Sequence, residues 1–133
     1  MNVTNKELVD NLLPSLQAVH DFSLPNAKVK DLMTLAENLA VCELKAKDFW
    51  KTRESILQKY AEKGENGDRI EVENEKGEKS YKITSAVKFG KDFQELLETM
   101  VEVSLGKVDV TIFEDVDGLK PMHIKGLLEI INK

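Results

Sequence analysis

Between Ala27 and Ala61 the chain runs for 35 residues without a glycine or a proline, and no other stretch constrains the fold as much. Those two residue types are the strong helix breakers, costing about 1 and 3 kcal/mol at an interior position. Within the stretch Leu32, Leu35, Leu39, Cys42, Ala46, Phe49, Ile56 and Tyr60 recur at alternating steps of three and four, with Arg53 taking the one polar place in the seam. That spacing belongs to an amphipathic helix. Glu43 and Lys47 add a favourably oriented pair one turn apart. At ~1.5 Å per residue the helix is roughly 50 Å long. A seam of that extent must cover itself on a second helix, on the rest of the chain, or on another copy.

The flanking sequence supplies the other elements. Thr4 and Glu7 fit a capping box, followed by Leu8, Leu12, Leu16 and Val19 at helical spacing. Pro14 falls inside that run and predicts a kink or break near Asn11 to Leu13. Leu24-Pro25 disfavours helix in the connection that follows. Beyond the Gly64 to Gly67 loop, Ile70, Val72, Tyr81 and Ile83 alternate with polar residues about Glu75-Lys76-Gly77-Glu78, which reads as a β-hairpin. Phe89, Phe93, Leu96 and Met100 mark a third helix. Val101, Val103, Leu105, Val108, Val110 and Ile112 alternate as strand, with Gly106 a turn or bulge. Pro121 opens a closing helix carrying Ile124, Leu127, Leu128 and Ile131. The expected fold is α+β and one domain over 1–133. A long helical hairpin (kinked first helix, ~35-residue second helix) occupies 4–62, and a small antiparallel sheet with two further helices occupies 68–133.

Hydrophobic residues at 41% and charged residues at 32% suffice for a packed core, while aromatics at 6% leave that core to Leu, Val and Ile. A net charge of -5 disfavours nucleic acid and anionic membrane surfaces. Cys42 is the single cysteine, so no internal disulfide forms, and the first residues lack the apolar core of an export signal. No apolar run approaches the ~20 residues of a membrane span. The expected compartment is therefore a reducing cytoplasm.

The chemistry-bearing residues are sparse. His20 and His123 have no second ligand at metal spacing, and Cys42 on the apolar seam reads as a buried, inert thiol. Asp115-Val116-Asp117-Gly118 has part of a calcium loop, but Phe113 stands where a ligand is needed. Gly64, Gly67 and Gly77 precede no Lys-Ser/Thr at phosphate-loop spacing. Glu71, Glu73 and Glu75 alternate as on a solvated strand edge. The sequence thus yields no catalytic, cofactor-binding or metal-ligating residue, and the chain reads as a non-enzyme. What stands out is basic and aromatic: Lys45, Lys47, Lys51, Arg53 and Lys59 on the long helix, and Phe49-Trp50. Phe49 belongs to the seam. Trp50, about 100° round the helix, lies beside Lys47 and Arg53. Tryptophan and arginine dominate binding hot spots, so Lys47, Trp50, Lys51 and Arg53 are the expected partner-binding residues.

Several short motifs are spread over nearly the whole chain: Asn5-Lys6-Glu7-Leu8, Leu24-Pro25, Arg53-Glu54, Lys59-Tyr60, the Gly64 to Gly67 loop, Phe93 to Leu97, Val101-Glu102-Val103, Leu119-Lys120-Pro121 and Leu127 to Ile130. In these the chain resembles a family of small uncharacterised proteins from phages and prophages of Gram-positive bacteria. Phe89-Gly90 and the strand around Gly106 fit less well. The resemblance implies a phage-encoded protein in the bacterial host cytoplasm. Two functions follow as expectations. One is an assembly helper or chaperone that binds a phage protein. The other is an inhibitor of a host or anti-phage defence protein, for example one that sequesters a nucleotide signal. A protein partner and a homo-oligomer are expected, with no cofactor, membrane or nucleic acid.

Overall fold

A computed structural model describes residues 1–64, 67, 70–73 and 75–132 of the chain. The fold is α+β. The chain divides into two compact units, Met1–Lys47 with Thr99–Lys133, and Asp48–Glu98.

In the first unit strand β1 (Asn2–Thr4) pairs antiparallel with β4 (Met100–Glu102), Val3 opposite Val101. The Thr4 hydroxyl then accepts from the Glu7 amide at 3.1 Å and caps α1 (Asn5–Glu7), as the sequence predicts. A five-residue π-helix, Leu8–Leu12, joins α1 to α2 (Leu13–His20). Pro14 supplies no N–H and its ring crowds the turn before it, so the hydrogen-bond ladder widens there into the π-turn. The predicted kink takes that form. Helix α3 (Val29–Tyr60) is unbroken, with residues 29–47 in this unit. Its start is fixed by Asp31, whose carboxylate accepts from the Lys28 amide at 3.0 Å. This cap turns Asp31 inward, so the buried seam begins at Asp31 and Leu35, and Leu32, expected in the seam, is exposed.

The C-terminal part departs from the alternation read in the sequence. Met100, expected in the third helix, opens β4. Strands β4 and β5 (Val108–Asp109) do not pair with each other; β5 pairs in parallel with β6 (Ile131–Asn132). Val110–Phe113, expected as strand, is a 3₁₀ turn because one Asp109 carboxylate oxygen accepts from both the amide and the hydroxyl of Thr111, each at 3.0 Å. The closing helix shortens to α5 (Pro121–Ile124) and a 3₁₀ segment, Lys125–Ile130, because Ile131 must extend to reach Val108. Gly126 sits where α2 and this segment pack. A β-carbon there would lie 2.3 Å from the Asn11 carbonyl oxygen and 2.6 Å from Ser15 Oγ, so only glycine fits.

The core of this unit is aliphatic: Leu8, Leu12, Leu16, Val19, Val103, Val108, Ile112, Leu127 and Ile130 are all nearly inaccessible, with Cys42 among them. Each such large side chain stabilises the fold by about 1.5–3 kcal/mol. Of the buried polar residues among those described (Asn5, Ser15, Asp31 and Asn38), Asn38 is the least exposed. Its amide donates to the Gly106 carbonyl and accepts from the Gly106 N–H, both at 2.9 Å, which pins the β4 to β5 connection to α3.

The second unit holds residues 48–60 of α3, a hairpin of β2 (Glu71–Glu73) and β3 (Lys79–Tyr81), and α4 (Ala86–Glu98). The hairpin is antiparallel as predicted, Val72 opposite Ser80, and Gly77 takes the positive φ of 80° that its turn requires. Both the amide and the hydroxyl of Thr84 donate to the Tyr60 carbonyl, at 2.7 and 2.9 Å, and so stop α3. The Gly64 to Gly67 loop includes Glu65 and Asn66, which lie outside the described residues. No helix among the described residues is long and apolar enough to cross a membrane.

Candidate functional site

The second unit carries a continuous run of rings and cations across α3 and α4. Arg53 and Tyr60 are two turns apart on α3; Phe89 and Phe93 are one turn apart on α4. The Arg53 guanidinium carbon lies 5.7 Å from the Trp50 ring centre and 5.8 Å from that of Phe93. Both distances suit a cation over an aromatic face. Phe93 stacks on Phe89 at 6.1 Å and 4°, and Phe89 meets Tyr60 edge-on at 6.4 Å and 84°. The Tyr60 hydroxyl donates to Asp92 Oδ2 at 2.7 Å, and Lys59 Nζ reaches the same oxygen at 3.4 Å.

These contacts set the electrostatics. The Tyr60 hydrogen bond, with Lys59 second, holds the Asp92 carboxyl below the usual carboxylate range. The Lys59 ammonium is raised by Tyr60 and by Asp92. No carboxylate among the described residues pairs with Arg53. Its planar fork of donors is held in place by two rings and remains available to an acceptor.

Of the four expected partner-binding residues, Trp50 and Arg53 are brought together. Trp50 is 54% exposed, while its neighbour Phe49 is buried at 3% and meets it edge-on, ring centres 5.0 Å apart. Lys51 is exposed but leaves the helix about 100° away from Trp50. Lys47 is exposed and is the last residue of the first unit. Sequence reasoning missed Tyr60, Phe89, Asp92 and Phe93 as members of the cluster. The i,i+4 spacing of Phe89 and Phe93 was the signal, but only the fold brings α4 alongside α3.

The clefts described in the first unit include two of larger volume. One, of about 270 Å³, is bordered by Lys28, Lys30, Lys107, Asp31 and Asp109. Hydrogen bonds from Thr111 hold the Asp109 carboxyl low, with Lys28 and Lys30 adding to the effect. The other, of about 350 Å³, lies among Met1, Glu7, Asn11, Lys125, Leu128 and Glu129. Cys42 has no exposed surface, and burial pushes its thiol up to about 11. Among the described residues no group of three or more His, Cys, Asp or Glu gathers as a metal ion would require.

No protein-family model, curated protein or solved structure matches this chain.

Proposed function

We propose that this chain is a non-enzymatic protein-binding factor of phage type, an assembly helper or chaperone for a phage protein in the host cytoplasm, and that Trp50 and Arg53 are the centre of its contact surface. The observation that supports the reading is the exposed Trp50 ring beside a guanidinium held between it and Phe93. Rigid aromatic area next to a preorganised cation is the composition of binding hot spots. Affinity capture from the native host, followed by mass spectrometry, tests it. Trp50→Ala and Arg53→Ala should each lose the protein that the unaltered chain retains, with helicity unchanged. Retention of the same protein by both variants would sink the reading.

A second reading is inhibition of a host or anti-phage defence protein by sequestering a nucleotide signal. The cleft bordered by Lys28, Lys30 and Lys107 favours it, although Asp31 and Asp109 offset two of the three charges. Calorimetric titration with nucleotides separates the two: binding abolished by Lys28→Ala with Lys107→Ala supports the second, and heats of dilution alone remove it.

A further inference from the structure

Helix α3 has a second apolar stripe, on the face opposite its buried seam. Val29 is 74% exposed, Met33 58% and Leu44 61%, with Ala36 and Ala40 exposed between them and Leu32 beside them. The steps are four, three, four and four, so the five side chains keep to one line down the helix. Singly exposed apolar residues are ordinary, but a line of them along residues 29–44 is the kind of surface that is covered in use.

We infer that this stripe is covered by a second copy of the chain, packed antiparallel about a two-fold axis near residues 36 and 37. The stripe is self-complementary in that arrangement. Val29 of one copy faces Leu44 of the other, and Met33 faces Ala40, so a large side chain meets a small one and the helices approach closely around Ala36. The exposed apolar surface of the six residues amounts to roughly 500 Å² per copy, which doubled reaches the about 1,000 Å² at the lower bound of a specific interface. A reversible dimer is expected on that area, not an obligate one. Glu37, at the margin of the stripe, comes beside its own copy and weakens the pair.

Sedimentation equilibrium of the full chain, from roughly 1 μM to 1 mM, reads the association directly. The unaltered chain should pass from monomer to dimer. Leu44→Glu and Met33→Glu should each weaken it roughly 100-fold or more, by placing a charge against apolar surface, with circular dichroism unchanged. Glu37→Gln should tighten it several-fold. Ala36→Cys should link to its own copy on oxidation, whereas Leu44→Cys, roughly 20 Å from its own copy, should not. Trp50→Ala should leave the dimer intact, which separates this interface from the surface that captures a partner. A chain that stays monomeric throughout, or a dimer indifferent to Leu44→Glu and Met33→Glu but lost in Trp50→Ala, would overturn the inference.

Discussion

The two units are held together by different physics. The first has a contiguous aliphatic core reaching from Leu8 to Ile130, backbone packed against backbone at Gly126, and a buried amide clamp at Asn38. In the second, Phe49, Ala61 and Leu96 are the buried apolar residues among those described, all three residues of β2 are exposed, and half-buried rings and ion pairs supply the rest. Apolar burial is strong and is not weakened by ionic screening, whereas exposed polar contacts contribute little each. The second unit is therefore expected to open more readily, as surfaces that adapt to partners do. The difference teaches where to look for function: rigidity resides in one part of the chain, and the exposed Trp50 ring with its adjoining guanidinium in the other.

The comparison breaks most sharply at Phe49. With so few buried apolar residues beside it, Phe49→Ala should destabilise by about 3–5 kcal/mol. The loss should fall on the second unit, read as faster amide exchange over α4 while α2 stays protected. Equal acceleration in both would mean that the units unfold as one. Next in size is Gly126→Ala, which drives a β-carbon into the Asn11 carbonyl, a backbone atom that cannot rotate away. The expected loss is about 3 kcal/mol, now confined to the first unit. An unchanged denaturation midpoint would show that the π-helix and the closing segment are less closely packed than 2.3 Å implies. Asn38→Ala comes third, at about 1–2 kcal/mol, since the Gly106 N–H and carbonyl lose their partners but lie near enough to solvent to be rehydrated. Amide exchange at Gly106 should rise while that of the core strands does not.

What the sequence revealed follows the same division. Local signals were readable: the Thr4 cap, the uninterrupted helix now bounded as Val29–Tyr60, the hairpin about Gly77, and Leu8, Leu12, Leu16 and Val19 as a buried face. Each depends on residues a few positions apart. The misreadings arose where a side chain overrode the pattern. Asp31 displaced Leu32 from the seam by capping the helix, and Asp109 turned an alternating run into a 3₁₀ turn. Ile131 left the closing helix to pair with Val108, a partner distant in sequence. The candidate site was half legible for the same reason. Trp50 and Arg53 are neighbours on one helix, whereas Phe93 and Asp92 join them only through tertiary packing.

The smallest expected effect tests whether the polar end of the ring cluster holds the second unit at all. Tyr60→Phe removes the hydroxyl that donates to Asp92 and leaves the ring against Phe89. Because that hydrogen bond lowers the carboxyl in the folded state, its contribution is present above the ordinary carboxylate range and fades as pH falls through the lowered value. The stability gap between the unaltered chain and Tyr60→Phe should thus be constant near neutrality and close below about pH 4. The carboxyl resonance of Asp92, followed by NMR, should titrate at higher pH in the variant, with Lys59 still holding it partly down. A midpoint that does not move would assign the shift to Lys59 instead. The hydroxyl would then count for nothing in positioning α4, and the rings alone would have to orient Phe93 beneath Arg53.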